Sequence, residues 1–338
     1  MKNIIRLEKV NKGFFKGQAV FAVLGFFDGV HRGHQDIIKQ CIGKAAQNNG
    51  TSVVFTFDKP PKNIIHGKLY KKLITPYADK LKLIKKLGAD YIVVAKFDRF
   101  FSGLEPGDFC REILIEKLNV SEIFIGKGFR FGKDASGGTD FLEKCLGPCG
   151  VRINEVPILE INGSPVSSTL IREFYNAGDI EKIKLFLGRD PSIKGRVIKG
   201  DSRGRLLGFP TANIDVFEKY VTPSDGVYTG FVNLQAPIVS TGDIYADKKN
   251  KEAIRMMPAV INIGDNPTFY GKRKWVESHI LDFAGDIYDF TIEVIFLKKL
   301  RDEKKFVSRD NLIGQVKKDI SIAGDYFKIV INLSLIHI

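Results

Sequence analysis

Residues 19–35 read AVFAVLGFFDGVHRGHQ, and the fold of the first half of the chain follows from this stretch. The apolar run over residues 19–24 predicts a buried strand, and Gly25 begins a turn. Apolar residues with helical spacing follow over residues 33–48. A strand, a tight turn and a helix in this order open a β–α unit, in which ligands bind at the carboxyl end of the strand. The turn that ends at His34 is therefore the first candidate site.

The same alternation continues along the chain. Three more apolar runs predict strands, at Thr51–Phe57, Tyr91–Ala95 and Ile123–Ile125. Segments with helical spacing separate them, at residues 76–87 and 106–118. Strands that alternate with helices predict a Rossmann-like α/β domain, which is a parallel sheet with helices on both faces.

The pattern changes near residue 188. A helix-like stretch, Thr169–Leu187, ends at Gly188, and a closing helix is predicted over residues 308–327. Between them lie short β-type runs, at residues 195–198, 226–234, 259–263, 276–283 and 290–296. Glycine, proline and asparagine separate these runs, which predicts an antiparallel barrel or sandwich. We therefore predict one domain over residues 1–187 and a second over residues 188–332.

The last six residues, 333–338, are interpreted as a non-native tail. Their sequence, LSLIHI, matches one reading frame of a common transposon sequencing adaptor. No functional role is assigned to them.

Composition narrows the class of protein. The 338 residues include 52 lysines and arginines against 39 aspartates and glutamates, a formal net charge of +13. No apolar run approaches the ~18 residues of a membrane helix, and the N-terminus lacks the apolar core of a signal peptide. We therefore expect a cytoplasmic protein with no membrane partner. The lysines are scattered, and the densest run, Lys80–Lys86, is interpreted as the solvated face of a helix. Anionic small molecules are thus expected as partners rather than nucleic acid.

Two of the five histidines, His31 and His34, lie three residues apart at the start of a predicted helix. Positions i and i+3 share one face of a helix, so both rings can point toward one ligand. The helix N-terminus adds unpaired N–H groups and a positive dipole. These donors suit attack on the α-phosphate of a nucleotide, where charge builds on phosphoryl oxygens. The alternative is a pair of surface histidines at a helix start.

A second phosphate-binding candidate is the run of hydroxyl residues Ser167, Ser168 and Thr169, followed by Arg172. Hydroxyls and a guanidinium at a helix start can bond phosphate oxygens. The alternative is an ordinary N-cap with a surface arginine, and from the residues alone that alternative is favoured.

Residues 200–213, GDSRGRLLGFPTAN, form the second candidate site. The hydroxyl of Thr211 and the carbonyl of Asn213 are hard oxygen ligands that suit Mg²⁺ together with phosphate oxygens and water. The alternative is a structured turn loop, which the glycines and the proline also fit. Further on, Glu277 lies in a predicted strand, where it shares a face with His279. A carboxylate there can act as general base, although an exposed edge-strand glutamate is the commoner case.

Several motifs together resemble one family. Residues 25–35 resemble the GxFDGxHxGHQ signature of the bacterial bifunctional riboflavin kinase/FMN adenylyltransferase (FAD synthetase) family, a branch of the H-x-G-H nucleotidyltransferases. Residues 125–132 and 167–172 are similar to its VGxDFRFG and SSTxIR motifs, and residues 200–213 to its GDxRGRxLGFPTAN motif. The resemblance implies a six-stranded antiparallel β-barrel with a terminal helix after the α/β domain. It implies phosphorylation of riboflavin by ATP, then adenylylation of FMN to FAD with release of pyrophosphate.

The resemblance also implies a role for each matching residue. Glu277 is the base of the kinase, and His31 and His34 are the catalytic residues of adenylyl transfer. ATP or its phosphates would be bound by the residues Gly25, Phe27, Asp28, Gly29, Ser167, Ser168, Thr169, Arg172, Gly200, Arg205, Gly208 and Pro210. The flavin would be bound by Phe129, Arg130, Phe131, Asn266 and Arg301. Thr211 and Asn213 would hold Mg²⁺, with ATP as the co-substrate.

Gly128 departs from the family pattern, because the family usually has Asp or Asn at this position next to the catalytic centre. This departure leaves open a monofunctional riboflavin kinase with an impaired adenylyltransferase domain. Two further alternatives are an H-x-G-H transferase for a lipid or coenzyme A precursor and a basic nucleic-acid-binding module. The sequence predicts no oligomeric state.

Overall fold

The structure is a computed structural model that describes residues 4–61, 72–200, 204, 207–216, 220–235, 256–268 and 271–336. The chain divides into two compact units, Met1–Leu170 and Ile171–Ile338. Residues 171–187 thus fall in the second unit, whereas the sequence assigns them to the first domain. The domain boundary near residue 187 stays a prediction.

The first unit contains a six-stranded parallel sheet. Its strands are β1 (Ile4–Arg6), β2 (Val20–Leu24), β3 (Thr51–Phe57), β4 (Tyr91–Ala95), β5 (Val120–Gly126) and β6 (Arg152–Val156). They lie in the order β1-β4-β3-β2-β5-β6. The helices include α1 (Arg32–Gln47), α2 (Tyr77–Lys86) and α3 (Thr139–Leu146). The predicted helix over residues 106–118 is a short α-helical turn, Pro106–Asp108, followed by a π-helix, Phe109–Lys117.

Both faces of this sheet are buried, because helices cover them. Residues on alternating positions of β2 enter two separate apolar clusters: Val20, Ala22 and Leu24 join one, and Phe21 and Val23 join the other. This explains why the strand is apolar throughout rather than alternating. The α/β prediction for this part of the chain is confirmed.

The strand order places the candidate site. From β2 the chain proceeds to β3 and β4 on one side, and β5 and β6 lie on the other side. The order of the sheet therefore reverses between β2 and β5. Ligands of open α/β sheets bind in the crevice at such a reversal, outside the carboxyl ends of the strands. The loops that leave β2 and β5 carry residues 25–31 and 127–132.

The single helix predicted over Thr169–Leu187 is wrong in one respect, since it is two helices. They are α4 (Ser168–Ala177) and α5 (Ile180–Leu187). Gly178, between them, has a left-handed φ of +70°, and a Cβ there would collide with the side chains of Ser224 and Tyr228. Asp179 then caps α5 by accepting a 3.0 Å hydrogen bond from the backbone N–H of Lys182.

The second unit is built on a closed antiparallel barrel of six strands. A two-stranded sheet, β7 (Glu160–Ile161) and β8 (Ser164–Pro165), still belongs to the first unit. The barrel strands are β9 (Ser192–Ile198), β10 (Ala212–Val216), β11 (Gly226–Gln235), β12 (Met256–Thr268), β13 (Gly271–Ile280) and β14 (Thr291–Arg301). The order around the barrel is β10-β13-β12-β11-β14-β9. The six-stranded barrel that the family resemblance implies is thus confirmed. Strand β10 was not among the predicted runs.

A long helix, α6 (Arg309–Ile336), follows the barrel, so the predicted helix over residues 308–327 is present but extends nine residues further. Its residues Ala323 and Phe327 pack on Val227 and Val260 of the barrel. Among the residues that the structure describes, no helix is both long and apolar enough to cross a membrane.

Candidate active sites

The loop after β2 has a constrained backbone. Two of its non-glycine residues, Phe27 and Val30, adopt positive φ angles of 56° and 40°. The ring of Phe27 folds back over Gly25, to within 2.7 Å of where a Cβ would lie, so only glycine fits there. Such backbone strain persists only where the surroundings hold it in place.

Asp28 holds this loop from inside. Its buried carboxylate accepts hydrogen bonds from the backbone N–H groups of Ile74, at 3.0 Å, and Thr75, at 3.3 Å. Its backbone oxygen accepts one from the hydroxyl of Ser168, at 3.0 Å. The sequence assigns Asp28 and Ser168 to phosphate binding. The structure brings these two residues together, and the carboxylate of Asp28 has a structural partner.

His31 and His34 form a stacked pair at the start of α1. His31 is the N-cap, and its Nδ1 accepts a 3.2 Å hydrogen bond from the backbone N–H of His34. The ring centroids are 3.5 Å apart and the ring planes differ by 17°. Because Nδ1 accepts, the neutral ring of His31 carries its proton on Nε2. The predicted sharing of one helix face by the two rings is thus present.

The environment of His34 favours its neutral form. Burial lowers its pKa well below the ordinary 6.5, and the charges of His31 and Lys80 lower the pKa further. Its Nδ1 is buried, and among the described residues it has no hydrogen-bond partner. A buried polar atom without a partner costs about 1–3 kcal/mol, so a ligand that reaches this nitrogen gains that free energy.

The segment before α4 makes the N-cap contact that the sequence offers as the alternative to phosphate binding. The hydroxyl of Ser167 accepts a 3.2 Å hydrogen bond from the backbone N–H of Leu170, which is an N-cap contact. Thr169 lies in the first turn of α4, and Arg172 lies one turn after Ser168. Phosphate binding by these residues stays a prediction.

The loop after β5 lies on the other side of the sheet reversal. Phe131 is buried among core residues, with its ring centroid 5.3 Å from that of Phe109 and 5.8 Å from that of Phe129. Phe129 is half-buried and Arg130 is exposed. The ring of Phe131 therefore serves the core, and Phe129 and Arg130 are the better placed to meet a flavin. Flavin binding here stays a prediction.

A cavity of about 450 Å³ lies in the second unit against the outer face of the barrel and α6. One row of facing residues crosses three strands of its wall, because Asn213 pairs with Glu277 and Glu277 pairs with Asn262. Directly facing residues have Cβ atoms about 4.5–5.5 Å apart. The Glu277 carboxylate thus lies between two carboxamides, and Thr211 and Arg301 also line the cavity.

Successive side chains of strand β13 point alternately to the cavity and to the barrel core. Trp275, Glu277 and His279 line the cavity. Val276, Ser278 and Ile280 are buried on the opposite face. The predicted common face of Glu277 and His279 is therefore present. Nδ1 of His279 lies 2.8 Å from the backbone oxygen of Pro210, so this nitrogen carries the proton and His279 anchors the loop.

Other side chains approach the backbone of the glycine-rich loop over residues 200–213 closely. A Cβ on Gly200 would collide with the carboxamide of Asn213, so this glycine lets the asparagine keep its position. Gly208 has a left-handed φ of +84°. Arg205 lies outside the described residues, as does the side chain of Asn266, which is part of β12.

Arg301 lines the cavity, but its guanidinium is hydrogen-bonded to Asp319, a residue that was not predicted from the sequence. Its Nε and Nη2 donate to the carboxylate of Asp319, at 3.1 and 2.8 Å. Asp319 lies in α6 and is 3% exposed, and Gln315 donates to it at 2.8 Å. Asn262 and Trp275 were missed as well. Trp275 is the single tryptophan of the chain, and its indole N–H is buried with no partner among the described residues.

Comparison with known proteins follows the same division of the chain. The family model of FAD synthetase matches residues 16–170, and that of riboflavin kinase matches residues 187–327. The bifunctional riboflavin kinase/FMN adenylyltransferase of Escherichia coli is 31% identical over 304 residues, which are 90% of this chain and 91% of that protein. The chain belongs to this family. The family member from Bacillus subtilis is 35% identical over 309 residues, again 90% of this chain and 91% of that protein.

Membership in the bifunctional riboflavin kinase/FMN adenylyltransferase family means that both domains are present. The alternative of a riboflavin kinase alone is not favoured, and the paired domains argue equally against a transferase for another precursor. A solved structure shares the fold over nearly the whole chain. A crystal structure described as a macrolide-efflux protein from Streptococcus pneumoniae is 28% identical, has a TM-score of 0.79, and covers 95% of this chain and 98% of that one.

Proposed function

We propose that the barrel cavity phosphorylates riboflavin and that the stacked histidines of the first unit catalyse adenylylation of the FMN formed. One observation carries the first assignment: Glu277 faces the cavity between Asn213 and Asn262. One observation carries the second: His31 and His34 stack at the start of α1, beside the reversal of the strand order. Both reactions consume ATP, which supports a cytoplasmic location.

In the kinase step, a ribityl hydroxyl of riboflavin attacks the γ-phosphorus of ATP. The new O–P bond forms as the bond from the γ-phosphorus to the β-phosphate oxygen breaks, and ADP leaves. Glu277 accepts the proton of the hydroxyl. Phosphoryl transfer depends mainly on positioning and charge stabilisation, and the two neighbouring asparagines orient the groups around the carboxylate.

The cavity residues fit Mg²⁺. Thr211 and Asn213 offer a hydroxyl and a carboxamide oxygen on its wall, and the absence of a Cβ on Gly200 leaves room for the Asn213 side chain. The described residues contain no group of three or more His, Cys, Asp or Glu that could hold a metal ion. A few oxygen ligands completed by phosphate and water are typical of Mg²⁺. When bound, the ion neutralises charge on the phosphate oxygens.

In the adenylyl-transfer step, a phosphate oxygen of FMN attacks the α-phosphorus of a second ATP. The bond from the α-phosphorus to the pyrophosphate oxygen breaks, and FAD and pyrophosphate are the products. His31 and His34 donate hydrogen bonds to the α-phosphate oxygens as charge builds there. The remaining phosphates are bound by the loop that contains Phe27 and Gly29. The hydroxyls of Ser167 and Thr169 and the guanidinium of Arg172 bind them as well.

Two substitutions test the division of labour. His31→Ala should abolish formation of FAD and leave formation of FMN intact, since it removes a donor from the first unit only. Glu277→Ala should abolish formation of FMN but leave formation of FAD intact when FMN is supplied. Chromatographic time courses with riboflavin or FMN, ATP and Mg²⁺ measure both products. A folded variant that loses both activities would show that the assignment is wrong.

A further inference from the structure

Lys80 is buried, although the sequence places it in a lysine-rich run that was interpreted as solvated. Lys82, Lys85 and Lys86 of α2 are exposed, as that interpretation expects. Lys80 is 2% exposed, so the interpretation is wrong for this residue. A buried lysine is rare unless its charge has partners. The adenylyl-transfer chemistry described above assigns it no role.

Three oxygens surround the Lys80 ammonium. Its Nζ donates to the backbone oxygens of Phe26 and Phe57, both at 2.9 Å, and to the hydroxyl of Thr56 at 3.2 Å. An ammonium has three N–H donors, so each has one acceptor. The ring of Phe26 adds a cation–π contact, with Nζ 4.1 Å from its centroid. All of these partners lie outside α2.

These contacts join the carboxyl ends of two neighbouring strands. Phe26 follows Gly25 in the loop after β2, and Thr56 and Phe57 end β3. The next residue along the loop, Phe27, has the positive φ of 56°. Asp28 is held in turn by the backbone of Ile74 and Thr75, just before α2. The strained loop is thus fixed from two directions, and Lys80 supplies one of them.

Charged groups face Lys80 from several elements. Burial lowers the pKa of Lys80 to about 7, whereas the carboxylates of Asp28 and Asp58 raise it. Asp58 also pairs with Arg6 of β1, at 3.4 Å. From α1, His34 is close enough for the charge of Lys80 to lower the histidine pKa. On α2 itself, the Tyr77 ring centroid lies 5.8 Å from Nζ.

We propose that Lys80 is a positioning residue for adenylyl transfer, whose charged form holds the loop from Gly25 to Gly29 in its working conformation. The proposal rests on the function proposed for the first unit. Lys80 touches no substrate in this scheme. It acts through the backbone of Phe26, and so through the loop that leads to the stacked histidines. Misplacement of catalytic groups by about 1 Å can cost about a hundredfold in rate, so a loosened loop has a measurable effect.

The test compares Lys80→Gln and Lys80→Arg with Lys85→Gln, a control on the exposed face of the same helix. Lys80→Gln should lower kcat for FAD formation by about tenfold or more, with KM for FMN unchanged, because the flavin does not touch Lys80. Lys85→Gln should leave both values unchanged. Riboflavin phosphorylation by the same samples shows whether the second unit is folded. Thermal unfolding shows whether the first unit is folded.

The pH profile separates positioning from mere packing. If the ammonium is required, wild-type kcat for FAD formation falls as pH rises through about 7, where Lys80 loses its proton. Lys80→Arg keeps its charge and should move this fall to higher pH, and Lys80→Gln should lack it. An arginine variant with the wild-type profile would overturn the proposal, as would a glutamine variant with wild-type kcat. If Lys80→Gln does not fold, the arginine profile alone decides.

Failure of the proposed function gives a different result. In that case the wild-type chain itself forms no FAD from FMN and ATP, whatever residue 80 is. Wild-type FAD formation together with an unaffected Lys80→Gln variant would instead reject only the role of Lys80.

Discussion

Gly128 stands where the family motif that residues 125–132 resemble has Asp or Asn, and its backbone shows how a glycine fits there. Its φ is +77°, and an added Cβ would meet no atom within 4 Å. Asn and Asp are the side chains that accept left-handed φ most readily, after glycine. The same backbone therefore suits glycine here and the polar residue that the family usually has. What the glycine lacks is the polar group.

Restoring that group gives a direct prediction. Gly128→Asn should raise kcat/KM for FAD formation by about threefold or more, because it adds a hydrogen-bonding group to the loop after β5 at the sheet reversal. Its thermal midpoint should fall only slightly, because asparagine accepts a left-handed φ more readily than other non-glycine residues. Gly128→Val is the control, since a β-branched residue with positive φ costs about 1–2 kcal/mol and adds no polar group. An asparagine variant that folds and shows the wild-type rate would contradict the prediction.

Single residues also show the limit of sequence reasoning. Their spacing predicted that His31 and His34 share a face, and the rings do stack. Lys80 was misjudged because helical spacing describes only the helix itself. The oxygens of Phe26 and Phe57 that bury it come from distant strands, and no local pattern indicates them.

At the scale of elements, strands with continuous apolar sequence were predicted well. The bounds of β3 and β4 are those read from the sequence, because both strands are central and buried. Edge strand β6 was missed, since its residues Arg152–Val156 are largely polar and half-exposed. The break between α4 and α5 was missed because Gly178 is required by Ser224 and Tyr228, which follow more than forty residues later.

Helix α6 shows how an element can complete a site. Its Asp319 receives the guanidinium of Arg301, and the pair is almost fully buried, with 14% of the Arg301 side chain and 4% of the Asp319 side chain exposed. The sequence gives this aspartate no motif, so only the packing of α6 on the barrel reveals its partner. Removing one member of a buried pair leaves the other charge unpaired, which costs about 3–5 kcal/mol.

Asp319→Ala should therefore lower the thermal midpoint of the second unit and raise KM for riboflavin by about tenfold, because Arg301 in the cavity wall loses its support. FAD formation from supplied FMN should be unchanged. Asp310→Ala, in the exposed first turn of the same helix, is the matched control. The double variant Arg301→Met with Asp319→Leu removes both charges and should recover stability but not KM. Recovery of KM in this double variant would show that the pair serves only the fold.

At the scale of the whole molecule, each unit has its own core and its own candidate site. The protein carries a net charge of +13, and its proposed ligands, ATP, FMN and pyrophosphate, are all anions. A scattered positive charge of this kind raises the local concentration of anions without a dense basic stripe. Nothing in the proposed chemistry requires FMN to remain on the chain that made it.

Two chains with complementary defects should therefore restore the pathway when mixed. His31→Ala makes FMN but not FAD, and Glu277→Ala accepts FMN but does not make it. A mixture supplied with riboflavin, ATP and Mg²⁺ should form FAD after a lag, because FMN must first leave one molecule and reach another. The lag should shorten as the share of His31→Ala chains increases, and either variant alone should form no FAD. A mixture that accumulates FMN without FAD would show that FMN reaches the second site only within one molecule.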